Sequence, residues 1–148
     1  MDYNNSEFLV ETVLEENEII ESKTDLKGVI TYANETFAKI SGYSVEELVG
    51  KSHNIVRHPD MPKIVFKEMW QTIKEYNIWK GFIKNMTKDG GFYWVHAEVS
   101  GVFSNREIVA YKSIQTPIRY EDKLESQIKY DKIRENTKGE LKRTVMYQ

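Results

Sequence analysis

The sequence predicts an α+β domain: a five-stranded antiparallel sheet with a cluster of short helices over one face. Three observations carry this. Between Glu18 and Thr116, apolar residues alternate with a period of two at both ends and take the helical period between Asn34 and Asn77. Turn sequences, Thr24-Asp25-Leu26-Lys27-Gly28 and Lys88-Asp89-Gly90-Gly91, separate strand-like runs as antiparallel hairpins require. The helices fall together between two strands and three strands, a layout that can enclose a ligand between sheet and helices.

The elements follow in order. Phe8, Leu9, Val10, Val13 and Leu14 have the spacing of a short amphipathic helix, read either as a frayed extension or as a docking or dimerisation helix. Ile19 and Ile20 open a hairpin whose second strand is Val29-Ile30-Thr31-Tyr32. Asn34 is an N-cap residue for a helix carrying Phe37 and Ile40, which stops at Ser41-Gly42. Ser44-Val45-Glu46-Glu47 is a capping box for a helix of one or two turns ending at Gly50. After a polar, irregular stretch, Asp60 and Pro62 start a longer helix with Phe66, Met69, Trp70 and Ile73 at i, i+3, i+4 and i+7. Strands are predicted over 78–86, 92–103 and 108–116, and Pro117 ends the sheet. The charged segment beyond it reads as an output or linker helix with Leu124, Ile128 and Ile133 as its apolar points, or as a solvated tail. Asp131 and Glu135 break any heptad. The expected organisation is an N-terminal extension over 1–17, a domain over 18–118 and a charged helix over 119–148.

Composition narrows the function classes. With 40% apolar and 12% aromatic residues among 148, the chain can close a core. Its 21 basic and 23 acidic residues leave a formal charge of −2, which argues against a nucleic-acid binder. There is no cysteine, so disulfides, thiolate metal sites and a cysteine nucleophile are excluded. The polar start has no signal-peptide pattern, and no apolar run approaches the ~18 residues of a membrane span. The expectation is a cytoplasmic chain without membrane insertion that passes its output to another protein.

Specific motifs sharpen this. They are Tyr32-Ala33-Asn34-Glu35-Thr36-Phe37, Ser41-Gly42-Tyr43, the string His53-Asn54-Ile55-Val56-Arg57-His58-Pro59-Asp60-Met61-Pro62, then Trp79-Lys80-Gly81, Lys84-Asn85 and Phe92-Tyr93-Trp94-Val95. In this order, over roughly residues 18–118, they resemble the FAD-binding PAS domains of bacterial aerotaxis and energy-taxis receptors. The resemblance implies a PAS fold, non-covalently bound FAD and a redox or oxygen report to a chemoreceptor or other signalling protein, with a homodimer through the terminal helices as a further expectation. It also implies that Arg57, His58 and Asp60 hold the cofactor. Arg57 offers a charged fork for pyrophosphate beside a helix start, Asp60 could pair with Arg57 or a ribose, and His58 could bond a phosphate or the adenine. The alternative for these residues is a helix cap and a surface ion pair.

On the strands, alternation places Trp79, Gly81, Ile83 and Asn85 on one face, Tyr93, Val95, Ala97 and Val99 on another, and Tyr111, Ser113 and Gln115 on a third. Asn85 can both donate and accept, as the pyrimidine edge of a flavin demands. Gln115 stands about where light-sensing LOV relatives place a flavin-bonding Gln. Trp79 and Tyr93 flank the ring or fill core, the resemblance favouring the pocket for Trp79 more than for Tyr93. Asn34 is matched too, although its capping role needs no cofactor. Met86 departs from the family pattern, which often has Arg there, and the alternation sends it to the outer face and a partner contact. No catalytic motif accompanies His53, His58 and His96, so an enzyme is not expected. The rival readings are a cofactor-free or small-ligand PAS interaction module, and a haem-binding PAS sensor.

Overall fold

The computed structural model describes residues 10–137. The hairpin of β1 (Ile20–Thr24) and β2 (Ile30–Ala33) leads to α1 (Glu35–Ser41), α2 (Val45–Leu48), a 3-10 turn (His53–Val56) and α3 (Lys63–Tyr76). Three long strands follow, β3 (Ile78–Met86), β4 (Phe92–Ser104) and β5 (Glu107–Thr116), and then α4 (Tyr120–Glu135). The strands form the expected five-stranded antiparallel sheet, and their order in it is β2-β1-β5-β4-β3.

Local chemistry sets the helix limits. Asn34 Oδ1 accepts from Phe37 N–H at 3.0 Å, and Gly42 ends α1 in the left-handed region at φ 84°. The capping box at Ser44 and Glu47 is complete. Asp60 does not take the N-cap position of α3: Pro62 does, and it makes no side-chain cap bond.

Register determines what each face carries. Trp79↔Val99, Gly81↔Ala97, Ile83↔Val95 and Asn85↔Tyr93 are direct partners across β3 and β4. Ala97↔Gln115 and Val99↔Ser113 continue the row onto β5, and Ser22↔Ser113 carries it to β1. This inner face packs beneath α1, the 3-10 turn and α3, with Phe37, Val56, Met69 and Ile73 buried against it. A Cβ at Gly81 would collide with the Trp79 indole, which lies across that position.

The outer face is covered too. Tyr130 of α4 stacks on Trp94 with ring centroids 6.2 Å apart and donates its O–H to the Phe82 carbonyl at 2.7 Å. Residues 10–17 are not the amphipathic helix that the spacing predicts. Glu11 bridges Phe92 in parallel, Thr12 N–H donates to the Phe92 carbonyl, Leu14 is buried, and Val10 and Val13 are exposed. Pairing with the end of β4 satisfies backbone groups that an isolated turn of helix would leave open. Phe8 and Leu9 lie outside the described residues.

In α4, Leu124 and Ile128 are exposed and the buried positions are Ser126, Tyr130 and Arg134. Tyr120, Leu124 and Ile128, four residues apart, form an outward apolar stripe. Both sheet edges are blunted. On β2, Ile30 N–H donates to the Lys51 carbonyl and Gly50 N–H to the Ile30 carbonyl. On β3, Arg57 forms a bridge to Asn85, Met61 Sδ accepts from Lys84 N–H at 3.4 Å, and Tyr130 takes the Phe82 carbonyl. No helix among the described residues is long and apolar enough to cross a membrane.

Candidate functional site

A cavity of about 110 Å³ lies between the inner sheet face and the helices. Its floor is Ile83 and Asn85 from β3, Val99 from β4, and Tyr111, Ser113 and Gln115 from β5. Its walls are His53, Asn54 and Arg57 from the 3-10 turn and Phe66, Met69 and Trp70 from α3. The Trp70 and Tyr111 rings meet edge to face at 4.9 Å, and the Arg57 guanidinium lies 4.0 Å above the Phe66 ring. Outside them runs an open groove that shares Arg57, Phe66 and Trp70 and adds His58, Lys63, Lys67 and Met86.

The floor holds polar atoms that the protein itself does not satisfy. Asn85 is 4% exposed and its Nδ2 has no hydrogen-bond partner. Opposite it, Tyr93 is fully buried and its hydroxyl is likewise unpartnered. Burial drives the Tyr93 phenol well above its ordinary pKa, with the adjacent Asn85 side chain opposing the shift. Gln115 Oε1 is buried without a partner, while Nε2 donates to Ser113 Oγ at 3.4 Å. Each unsatisfied polar group costs about 1–3 kcal/mol, and Asn85 and Gln115 present theirs to the cavity, with the Tyr93 hydroxyl beside Asn85. His53 adds a fourth polar group at the wall, its Nε2 3.1 Å from Ser22 Oγ and its ring against Phe37. Burial lowers the imidazole's pKa and keeps it neutral.

The loop after Arg57 divides its side chains between two places. His58 is buried, its Nδ1 accepts from Asp60 N–H at 2.9 Å, and its ring meets Phe92 edge-on. Asp60 is not part of the cavity wall. Its Oδ2 accepts from Lys84 Nζ at 2.8 Å, a pair whose side chains are 15% and 10% exposed. Burial pushes the Asp60 carboxyl up, but the Lys84 hydrogen bond and the Lys84, His58 and Arg134 charges together hold it below the usual carboxylate range. Asp60 is thus not the cap of α3 but is bonded to β3 through Oδ2, while its buried Oδ1 has no hydrogen-bond partner. The bond to β3 follows from alternation: Lys84 stands on the face opposite Asn85 and reaches Asp60 from the outer side.

The structure therefore brings together Arg57, Asn85 and Gln115 at the cavity, with Tyr93 beside Asn85. His58 stands on the neighbouring groove. Asn34 is elsewhere: besides capping α1, its Nδ2 donates to the Ile19 carbonyl at 2.9 Å, which uses both ends of the amide. Trp79 lies over Gly81 and packs on Met69, Ile73 and Val99, filling core beside the cavity. Of the two aromatics, it is Tyr93 that presents an unpartnered polar atom. Met86 is not confined to an outer, partner-facing surface, since it lines the groove near Arg57 and His58. Sequence reasoning did not single out His53, Phe66 and Trp70 as site residues. The i, i+4 pairing of Phe66 and Trp70 was visible in the helix pattern, but which helix face meets a cavity depends on α3 docking.

Residues 30–115 match the PAS fold family. The chain is 46% identical over 105 residues to the aerotaxis receptor of Escherichia coli, covering 71% of this chain and 21% of that protein. It is 30% identical over 119 residues to the nitrogen fixation regulatory protein of Klebsiella pneumoniae, covering 80% of this chain and 24% of that one. The chain thus spans a quarter or less of the length of these relatives. Among solved structures, a PAS domain from Colwellia psychrerythraea superposes with a TM-score of 0.64 at 25% identity, over 68% of this chain and 86% of that one. The light-state LOV domain of the photoreceptor Aureochrome1 does so at 0.64 and 22%, over 71% and 86%. With a sheet in PAS order, a cavity under its helices and a family match across most of both, the chain belongs to the PAS family.

Proposed function

We propose that this PAS domain binds FAD non-covalently in the cavity and reports the flavin's redox state to a signalling partner. The observation that carries the reading is the pair of buried, unpartnered amide atoms on the cavity floor, Asn85 Nδ2 and Gln115 Oε1, with the Tyr93 hydroxyl beside Asn85. A flavin's pyrimidine edge alternates carbonyl acceptors with an N–H donor, and a donor and an acceptor from two side-chain amides complement it. The groove beyond supports the dinucleotide form. Arg57, Lys63 and Lys67 stand along it at the start of the 14-residue α3, where positive charge and helix dipole suit a pyrophosphate. The cavity alone is smaller than the roughly 300–1,000 Å³ of ordinary ligand sites, so binding requires Phe66 and Trp70 to yield toward the groove.

When bound, the flavin supplies reversible uptake of electrons. The chain has no cysteine, so no adduct to a cysteine of its own can form. Its residues would do the rest: Asn85 and Gln115 orient the ring edge, Arg57 holds the phosphates, and the apolar walls exclude water. Gln115 and Asn85 are the groups whose hydrogen bonds change with the ring's charge, and the sheet carries that change toward α4. The roles of the relatives, an aerotaxis receptor and a nitrogen fixation regulator, favour a signalling protein as partner. The outward stripe Tyr120, Leu124 and Ile128 is the surface α4 offers it.

The absorption spectrum of the purified chain tests the cofactor. Two broad flavin bands are expected, and the released ligand should chromatograph as FAD. Recovery of FMN alone removes the role given to Arg57. A sharp Soret band would mean haem. A transparent visible region in protein that also fails to take up added FAD would leave an interaction module, the reading that the small cavity volume favours. Gln115→Leu should keep the flavin and lose redox-dependent partner binding.

A further inference from the structure

We propose that Asp60 latches the rim of the cavity to the C-terminal helix, so that the docking of α4 reports the position of the loop that carries Arg57. The residues form a closed ring. Asp60 Oδ2 accepts from Lys84 Nζ at 2.8 Å, and Lys84 Nζ also donates to Gln127 Oε1 at 3.2 Å. Gln127 Nε2 donates to Asp131 Oδ1 at 2.9 Å. Arg134 donates to that same Asp131 oxygen and, through its other terminal nitrogen, to the Asp60 backbone carbonyl. Gln127, Asp131 and Arg134 sit at i, i+4 and i+7, so one face of α4 grips one residue of the loop.

Two further features make this ring a device. The loop is stiff: Pro59 restricts it, and His58 Nδ1 and the His58 carbonyl accept from Asp60 and Met61 N–H. A displacement at Arg57, on the cavity wall, is therefore carried to Asp60 three residues on. Secondly, the apolar anchorage of α4 rests on Tyr130 and Ile133, because Leu124 and Ile128 face outward. The Arg134 side chain is 4% exposed and that of Lys84 is 10% exposed, so moving Asp60 away strands buried charges that regain partners most easily in water. Loop and helix are thereby coupled reciprocally: whatever shifts one shifts the other. The inference does not depend on which ligand the cavity takes.

Amide hydrogen exchange on the full chain, without added ligand, tests it. Arg134→Leu alters a residue of α4 that is not on the cavity wall. It should nevertheless speed exchange at Arg57, Asp60 and Met61 by about tenfold or more, together with exchange across 120–135. Asp60→Asn should affect both segments alike, and the double variant should exceed neither single one. Unchanged protection of β4 and β5 certifies the fold, and Arg134→Lys should restore part of the loop's protection. If Arg134→Leu loosens α4 while the loop stays protected, or if the two variants add, the latch is wrong. Should Asp60→Asn not fold, Arg134→Leu against Arg134→Lys decides the matter alone.

Discussion

Lys84 and Asn85 are neighbours on β3, and they show how differently the two faces of the sheet handle buried polarity. Inward, Asn85 faces a cavity and leaves its Nδ2 without a partner, as do Tyr93 and Gln115 nearby. Outward, Lys84 bonds both Asp60 and Gln127, and Tyr130 finds the Phe82 carbonyl. A face that docks a segment of its own chain makes bonds such as these in the folded protein, although Asp60 Oδ1 and Arg134 Nε stay without partners there. The inner face leaves its unmet amides on a cavity, where a ligand can complete them.

This contrast can be broken at several points. The largest effect is expected outside. Lys84→Met leaves Asp60 buried without its ammonium partner, and unfolding in urea should show a loss of about 3–5 kcal/mol. Next comes the inner face: Gly81→Ala drives a methyl into the Trp79 indole and should cost about 1–3 kcal/mol in the same assay.

A smaller, pH-dependent effect belongs to His53. Its pKa is lowered by burial, so the unfolded chain takes up a proton first as pH falls. Stability should hold above about pH 6.5 and decline below it, by no more than about 1.4 kcal/mol per pH unit. His53→Phe should flatten that slope in denaturation curves between pH 7 and 5. Asp60 acts in a different window. Its lowered carboxyl pKa stabilises the fold at neutral pH, and that contribution drains away only below the ordinary carboxylate range, near pH 4. The smallest change is expected from Asn85→Leu, which removes an unmet amide. The ligand-free protein should be unchanged or gain up to about 1 kcal/mol. Flavin retention, by contrast, should fall at least about tenfold, and a loss of stability without a loss of flavin would erase the contrast between the faces.

Much of this was legible in the chain. The strands, the Asn34 and Ser44 caps and the Gly42 stop follow from period and local chemistry, which act over a few residues. Asn85 and Gln115 were also legible, because strand alternation sets side-chain direction once a face is known. Asp60 was not. Its partners Lys84 and Arg134 lie 24 and 74 residues away, and nothing local says which of several nearby cations a carboxylate will choose. The same limit hid the docking face of α4. Leu124 and Ile128 are apolar points of the sequence, yet it is Tyr130 and Arg134 that find partners on β3 and in the loop. Residues 10–17 misled for a related reason, since the available end of β4 outbid an isolated helical turn too short to sustain itself.

The closed edges of the sheet have a bearing on how this chain can assemble. Strand edges invite other chains to add a strand through backbone hydrogen bonds, the route to runaway polymerisation as well as to many regulated complexes. Here the 50–52 segment occupies β2, while Arg57, Met61 and Tyr130 occupy the middle and end of β3. At these covered positions recognition is written in side chains, which discriminate among partners far better than a bare peptide backbone does.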